Sequence, residues 1–346
     1  MIFLGDFVYP FKTKKNIYKF SEEMLNESKV LNLEGAILDP DNSKVITKGT
    51  SLYSSIFAYD VLKSLNVKAV GLANNHIFDY QIDINKQKRE LKDRNIVSCG
   101  AGTNINEALK AALIEDNKYK YVVLSFGWDV AGCINAKLNQ YGVAPLVEER
   151  MIKSINNAKK MYNDRKIIVY VHWNYVSEYY PQPADRKLAF SAIDAGADAI
   201  IGHHPHIVGV YEIYKNKPIF YSLGNFFMPT SMGLGDLSKI GLGVKYDEEI
   251  SNIILFWTEN CTDKLNLVLK EKLIDTNKLE DISSLYQHNL SDYVKWFKKH
   301  RRKKKLLPIY KGHDQSLTNQ LLLKLLRIRN YIVYLLTVSG LRKRNN

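Results

Sequence analysis

Runs of apolar residues alternate with amphipathic stretches over the first two thirds of the chain, and the two patterns predict different elements. Continuous β-branched and aromatic runs at residues 2–5, 67–73, 119–126 and 166–171 are typical of strands buried on both faces. The stretch at residues 55–66 has helical spacing of its apolar positions. This alternation predicts an α/β fold, in which helices cover the sheets.

The pattern changes after about residue 206. The apolar segments IVGVYEIY and PIFYSLGNFF flank the polar residues 215–217, which predicts a β-hairpin. Further strands are expected to about Ile274, so we predict one domain over residues 1–276 and a C-terminal extension over residues 277–346.

The spacing of apolar residues in the extension predicts a helix from about Leu317 to Val338. Apolar side chains recur on one stripe of this helix, with Lys324 and Arg327 opposite. The stripe consists of Leu321, Leu325, Ile328, Ile332 and Leu335.

Composition and charge narrow the class of protein. The 346 residues are 46% hydrophobic, as in a packed globular protein, and the three cysteines include no CxxC pair, which argues against a disulfide framework. The first residues do not resemble a signal peptide, and no apolar run reaches the length of a membrane span. We therefore expect the chain in the cytoplasm, or bound peripherally to the inner face of the cell membrane.

The net charge of +13 belongs to the C-terminal extension. From Ser291 onward the chain has 15 Lys and Arg against two Asp, and the remainder is neutral. Such a helix suits an anionic membrane surface. A plain solvated face packed on the body and attraction to nucleic acid are alternatives, but no base-reading motif is present, so nucleic acid is the less favoured partner.

Three histidines stand where an apolar run ends. His203, His204 and His206 lie in the segment IIGHHPHIVG, after a predicted buried strand. Imidazole is a common ligand of transition metals, and side chains at the ends of parallel strands converge on one edge of a sheet. Surface histidines on a loop are the alternative.

Other polar residues follow predicted strands in the same way. Asp6, Glu34, the pair Asn75–His76 and His172 each stand where an apolar run gives way to a loop. Taken singly, each has a structural explanation, as a helix cap, a solvated acid or a core histidine. Together they offer carboxylate, amide and imidazole ligands, a set that suits one or two divalent ions of Zn, Mn or Fe.

The same segments resemble a known family. The blocks ANNHIFDY, VHW, GHHPH and YSLGNFF, with NLEG and the early GD, are similar to the bacterial capsule-synthesis family called CapA, which is related to the calcineurin-like metallophosphoesterases. The resemblance runs from about Ile2 to Phe227. It implies a four-layer α/β/β/α sandwich with metals at the strand ends and a role in capsule or poly-gamma-glutamate synthesis.

The resemblance also implies roles for single residues. Asp6 and His206 would bind metal one, and Glu34 would bridge the two metals. Asn75, His172 and His204 would bind metal two, although His203 and His204 could exchange roles. The expected second histidine of metal one is replaced by Val8.

A hydrolytic mechanism follows from these roles. His76 would protonate the leaving oxygen, and Asp79 would either orient His76 or be an exposed loop acid. We predict that the substrate, a phosphoester or an anionic polymer, contacts further polar residues near the same loops. These are Asn74, His203, Glu178 and Asn225. A non-catalytic component of a capsule-assembly complex, with other assembly proteins as partners, is the alternative.

Overall fold

The computed structural model describes most of the chain. The described ranges are residues 1–13, 18–47, 50–229, 235–245, 254–263, 266–273, 279–285, 290–302 and 307–339. The predicted boundary between residues 276 and 277 lies outside them, so the division into two domains stays a prediction.

Nineteen strands and eight α-helices are formed by the described residues. The strands are β1 Ile2–Phe7, β2 Tyr18–Lys19, β3 Lys29–Leu33, β4 Ala36–Ile37, β5 Tyr53–Ser54, β6 Val67–Gly71, β7 Val97–Cys99, β8 Ala101–Gly102, β9 Ala112–Glu115, β10 Lys120–Gly127, β11 Gly142–Val143, β12 Lys166–His172, β13 Ala199–His203, β14 Tyr211–Tyr214, β15 Lys217–Phe220, β16 Asn225–Phe227, β17 Ile240–Lys245, β18 Ile254–Asp263 and β19 Asn266–Leu273. The helices are α1 Glu22–Asn26, α2 Ala58–Ser64, α3 Ile84–Lys92, α4 Ile105–Ala108, α5 Glu148–Met161, α6 Pro183–Ala195, α7 Leu290–His300 and α8 Leu317–Val338. The mixed α/β class predicted from the sequence is confirmed.

Two large sheets contain most of the strands. The first has the order β2-β19-β18-β17-β1-β3-β6-β7, with β16 also pairing with β1. The second has the order β14-β15-β13-β12-β10-β9. The neighbours β1, β3 and β6 are parallel, and so are β10, β12 and β13. The carboxyl ends of each parallel set therefore lie along one edge of its sheet.

Alternate residues of these strands enter different cores. Phe3 and Ile168, from the two sheets, belong to one apolar cluster. The next residue along each strand, Leu4 or Val169, joins another cluster with α2 and α3 or with α5 and α6. This alternation explains the continuous apolar runs, because both faces of these strands are buried.

The predicted hairpin is confirmed. Strands β14 and β15 are antiparallel, and the turn residues Lys215 and Asn216 have φ angles of 47° and 59°. Both residues therefore lie in the left-handed region that two-residue hairpin turns commonly use.

The C-terminal extension packs against the body through several buried side chains. Tyr310 and Leu326 join the cluster that contains the apolar faces of α5 and α6. The Tyr293 hydroxyl donates to the carbonyl of Pro181 over 2.9 Å, and His313 Nε2 lies 2.8 Å from Asp185 Oδ1. The extension thus contributes to the core beside the second sheet.

Helix α8 spans Leu317–Val338, so the predicted helix is confirmed. Its predicted apolar stripe, however, faces solvent. The five stripe residues are between 46% and 58% exposed, whereas Leu326 on another face is 4% exposed. Among the described residues, no helix is long and apolar enough to span a membrane.

Candidate metal centre

Side chains from both sheets meet where their parallel strands end. Asp6 lies in β1 and Glu34 follows β3, while His172 and His203 end the neighbouring strands β12 and β13 and are opposite one another in register. Their side chains are no more than 1% exposed. The structure therefore brings together residues that are up to about 200 positions apart in the sequence.

Two sets of ligand atoms share Glu34. Asp6, Glu34 and His206 place one candidate ligand atom each within 4.8 Å of the others, and so do Glu34, His172 and His204. The described residues thus offer two adjacent places for a metal ion, with one carboxylate common to both. Glu34 therefore lies between the two places, and its role as a bridging ligand stays a prediction.

Asn75 lies beside the second set. Its Oδ1 atom is 2.7 Å from Nε2 of His172. At this distance the imidazole N–H can donate a hydrogen bond to the amide oxygen when no cation is bound. When a cation is bound, the lone pairs of the oxygen and the nitrogen can both coordinate it. All six residues predicted as metal ligands are therefore gathered at one place.

The buried polar atoms of the centre fit a divalent cation. Both carboxylate oxygens of Glu34, Oδ2 of Asp6 and Nδ1 of His204 are buried without a hydrogen-bond partner in the structure. Such atoms carry a substantial free-energy penalty unless something pairs with them. A cation would satisfy carboxylate and imidazole lone pairs together, as a mixed oxygen and nitrogen site for Zn, Mn or Fe does.

Burial and mutual charge displace the pKa values of the acids in opposite directions. Burial raises the pKa of Glu34 to about 8, with the charge of Asp6 adding to the effect and His206 opposing it. Burial would also raise the pKa of Asp6, but the close imidazoles of His203 and His206, 3.2 and 3.4 Å from its oxygens, hold it well below its usual value. Asp6 is thus the stable anion of the centre.

The pKa values of the histidines are also shifted in opposite directions. Burial, with the charges of His206 and His76, lowers the pKa of His204 to about 3, so this imidazole is neutral near pH 7. Burial would lower the pKa of His206 too, but Glu34 and Asp6 raise it to about 9. Burial and His204 hold the pKa of His172 well below its usual value. Without a cation, His206 carries the positive charge that balances Asp6.

The loop after β13 holds two of the imidazoles in an unusual backbone conformation. His204 and His206 have φ angles of 94° and 57°, a region that non-glycine residues seldom adopt. Each such residue costs on the order of 1–3 kcal/mol, and this kind of strain is concentrated at functional sites. The conformation that directs both rings toward the centre therefore lowers the stability of the folded state.

Close packing of main chain behind the centre explains why residue 202 is a glycine. A Cβ atom added to Gly202 would lie 2.1 Å from the carbonyl oxygen of Tyr221. The carbonyl of Tyr221 also accepts a hydrogen bond from Nε1 of Trp173 over 2.9 Å. Only glycine lets β13 approach this segment closely enough to fix the strand end.

His76 and Asp79 form a pair beside the centre. Nδ1 of His76 is 2.5 Å from Oδ2 of Asp79, and the Asp79 side chain is 4% exposed. The alternative that Asp79 is an exposed loop acid is wrong. The carboxylate fixes Nδ1 as the protonated nitrogen, which leaves Nε2 available for proton exchange. The His76 side chain is 15% exposed and so remains accessible.

The four predicted substrate contacts have structural partners. The Oδ1 atom of Asn74 accepts from the backbone N–H groups of Gly35 and His76, and its Nδ2 donates to Leu33. Asn74 is 1% exposed, so its visible role is to hold the loop that carries Glu34.

Asn225 and His203 lie against the centre. Oδ1 of Asn225 is 2.9 Å from Nδ1 of His206 and orients that ring. His203 is stacked on Tyr170 with ring centroids 4.8 Å apart, and its Nδ1 is 3.2 Å from Oδ1 of Asp6. Both are buried, and their contact with substrate stays a prediction.

Glu178 has partners of a different kind. Its Oε1 atom accepts hydrogen bonds from the backbone N–H groups of Tyr179 and Arg302, over 3.2 and 3.0 Å. The carboxylate therefore ties the loop after β12 to the C-terminal extension. Its predicted contact with substrate also stays a prediction.

One residue of the centre was not predicted from the sequence. Nδ2 of Asn32 donates to Oδ1 of Asp6 over 2.8 Å. Asn32 and Glu34 are two positions apart at the end of a strand, so they point to the same side. That spacing was the signal by which Asn32 could have been found.

The position of the absent histidine is occupied by a small apolar cluster. Val8 is 2% exposed and packs with Leu52 and Met228. The set that contains Asp6 and His206 accordingly has fewer imidazole ligands than the resemblance implies for metal one.

Comparison with known sequences identifies the family. The sequence profile described as "Bacterial capsule synthesis protein PGA_cap" matches residues 5–230. The chain belongs to this family. The matched range contains every residue of the candidate centre and ends before α7 and α8.

Two relatives illustrate the similarity. The chain is 33% identical to the PGA biosynthesis protein CapA of Bacillus subtilis (strain 168) over 65% of this chain and 60% of that protein. It is 32% identical to the capsule biosynthesis protein CapA of Bacillus anthracis over 56% of this chain and 49% of that protein. The chain therefore spans about half to three-fifths of the length of these relatives.

A comparison of folds gives a weaker match. The structure of Haemophilus influenzae NAD nucleotidase (NadN) has a TM-score of 0.32 and 13% sequence identity, and the match covers 79% of this chain and 47% of that one. A TM-score of this size supports no inference about the present chain.

Proposed function

We propose that this protein is a metal-dependent hydrolase of capsule or extracellular polymer synthesis, which cleaves a phosphoester or a linkage of an anionic polymer. The observation that carries the proposal is the position of Glu34, whose two unpartnered, buried oxygens lie between two sets of ligand atoms. Membership of the capsule synthesis family supports the biological setting. We also propose that the two sheets and their helices form the four-layer α/β/β/α sandwich of metallophosphoesterases.

The residues divide into two ligand sets in this proposal. Asp6 and His206 would hold one divalent ion, His172 and His204 would hold the other, and Glu34 would be shared by both. Asn75 adds its amide oxygen to the second set. Ions of Zn, Mn or Fe held there supply Lewis acidity and lower the pKa of bound water toward neutrality.

The protein's own residues provide the proton transfer. Attack of water on the phosphorus or carbonyl carbon breaks the bond to the leaving oxygen or nitrogen, which then needs a proton. His76 in its doubly protonated, imidazolium form would donate that proton from Nε2, while the Asp79 carboxylate beside Nδ1 stabilises the charge and fixes the ring. The proton that the attacking water gives up would then restore the charged form of His76. Positioned general acids of this kind contribute roughly 10²–10⁴-fold to the rate.

Metal analysis and hydrolysis assays of the full chain test the proposal together. The wild type should contain at least one equivalent of transition metal by plasma mass spectrometry and should hydrolyse bis-p-nitrophenyl phosphate, p-nitrophenyl phosphate or poly-gamma-glutamate. Glu34→Gln should lose both metal and activity. His76→Gln should retain the metal and lose about 10²–10⁴-fold in kcat.

Two results would contradict the proposal. A protein that binds no divalent ion under any loading condition would remove its chemical basis. Stoichiometric metal without turnover of any of the three substrates would favour a metal- or polymer-binding component of an assembly complex instead.

A further inference from the structure

Helix α8 presents an apolar face that the rest of the described chain does not cover. The stripe residues Leu321, Leu325, Ile328, Ile332 and Leu335 are 58%, 52%, 57%, 50% and 46% exposed. Tyr331, at 58%, lies next to this stripe. Single exposed apolar side chains are common, but a continuous row along a helix of this length marks an interaction surface.

The opposite face of the helix is already occupied. Leu326 is 4% exposed and belongs to the core cluster of α5 and α6, with Leu322 and Leu323 partly buried against it. At about 3.6 residues per turn these positions lie across the helix from the exposed stripe. In an ordinary amphipathic helix the face opposite the apolar stripe is polar. In α8 that face is apolar and packs on the body, so the exposed stripe is a second apolar face.

Positive charge flanks the exposed stripe. On the same helical geometry, Lys324 and Arg327 lie beside the stripe, between it and the packed face, so the prediction that they lie opposite the stripe is wrong. Both side chains are exposed. From Gln315 to Asn346 the chain contains six Lys and Arg and no Asp or Glu. An exposed apolar stripe with cationic flanks is the arrangement of helices that lie in the plane of an anionic membrane.

We infer that α8 docks this protein on an anionic lipid surface, with the stripe inserted at the level of the headgroups and its cations next to lipid phosphates. A helix of 22 residues is about 33 Å long, and its packed face against the body leaves the stripe to lie along the lipid surface over this length. The inferred docking is therefore peripheral.

Charge favours lipid over a second copy of the chain as the occupant. A symmetric dimer would place the same patch of both copies face to face. The stripe would then bring Lys324 and Arg327 near their own counterparts, without an acid on this part of the chain to pair with them. Anionic headgroups pair with these cations, and acyl chains bury the leucine and isoleucine side chains.

Vesicle flotation of the full chain tests the inference. The probe is a set of phosphatidylcholine vesicles with and without phosphatidylglycerol. The wild type should float with the anionic vesicles and much less with the neutral ones. A stripe variant that combines Leu321→Gln, Leu325→Gln, Ile328→Gln and Ile332→Gln should bind at least about tenfold more weakly, because it removes the inserted apolar area.

Two further variants separate the contributions. Lys324→Gln should weaken binding to anionic vesicles by about fivefold, with little effect at high salt. Leu138→Gln combined with Met161→Gln, at side chains 73% and 70% exposed elsewhere on the surface, should leave binding unchanged. Circular dichroism melting should match the wild type for all of these variants, since each replaced side chain is exposed.

Three outcomes would overturn the inference. The wild type could fail to float with anionic vesicles, or the stripe variant could float as well as the wild type. The wild type could also be a dimer by light scattering that the stripe variant converts to a monomer without any vesicle binding, which would make a second copy the occupant. None of these measurements depends on metal binding or hydrolysis, so their failure is distinct from failure of the proposed function.

Discussion

Oδ2 of Asp79 lies 2.5 Å from Nδ1 of His76 and also accepts the backbone N–H of Leu52 over 2.9 Å. The backbone N–H of Leu52 therefore holds the carboxylate in place, and the carboxylate in turn orients the imidazole. This order of support makes Asp79 a positioning residue for His76.

Replacing Asp79 with asparagine should reduce hydrolysis by less than the roughly 10²–10⁴-fold expected on removing His76 itself. The neutral amide keeps the size of the side chain but holds the Nδ1 proton less firmly. Proton NMR should show loss of the downfield imidazole resonance of His76, while metal content stays at the wild-type value. Asp93→Asn, at an exposed carboxylate, is the matched control. Equal activity of the two variants would remove the positioning role.

The metal-free protein should lose stability as pH rises from 6.5 to 8. The pKa of Glu34 is raised from 4.5 to about 8, so the folded state retains a proton that the unfolded state has lost. The pKa of His206 is raised from 6.5 to about 9, so its contribution is complete below pH 6.5 and lost as pH rises toward 9. His204, with a lowered pKa of about 3, changes stability only below pH 6.5.

Each retained proton gives a slope of up to about 1.4 kcal/mol per pH unit. Urea unfolding in EDTA should therefore show a falling free energy of unfolding over this window, and Glu34→Gln should flatten the fall. Loading with a divalent ion should reduce the dependence, because ligands give up their protons to bind. A free energy of unfolding that rises with pH would contradict the buried, protonated state of Glu34.

Two adjacent leucines of α8 should respond differently to truncation. Leu326→Ala should lower the free energy of unfolding by about 2–5 kcal/mol, because it leaves a cavity in the core beside α6. Leu325→Ala, at a side chain that is 52% exposed, should change it by less than about 0.5 kcal/mol. Chemical denaturation of the two variants in parallel measures the difference. Equal effects would mean that α8 does not pack in the orientation described.

A buried ion pair joins α6 to the second sheet. Arg186 Nη2 donates to Glu212 Oε2 over 2.7 Å, the two side chains are 4% and 2% exposed, and the Tyr221 hydroxyl also donates to Glu212. Glu212→Gln should cost about 3–5 kcal/mol, since it leaves a guanidinium buried without its counter-charge. Glu115→Gln, on the exposed face of β9, should stay within about 0.5 kcal/mol of wild type. If thermal unfolding showed the same loss of stability for both variants, Arg186 would have to be in contact with water.

Much of the candidate centre was predictable because it is attached to strand ends. Strands β3 and β12 are buried along almost their whole length, so their sequences are mainly apolar up to Glu34 and His172. Parallel strands place such ends along one edge, and only a few polar residues follow them. The set of ligands could therefore be assembled without knowledge of strand order.

The parts that sequence could not supply depend on packing between distant segments. Glu178 binds backbone of the extension, a contact that no local pattern encodes. Leucine and isoleucine occupy so many positions of α8 that periodicity identifies two apolar faces without telling which one meets the body. The stacking of His203 on Tyr170 likewise depends on the register of β12 and β13, which alone brings the two rings together.

The extension has a consequence for how the chain is made. Tyr310 and Leu326 close the apolar surface of α5 and α6, and Tyr293 and Arg302 hold the loop that follows His172. These residues are synthesised after the strands and helices that they cover. The half of the molecule that supplies the imidazoles therefore keeps its apolar surface exposed during synthesis until the extension has emerged from the ribosome.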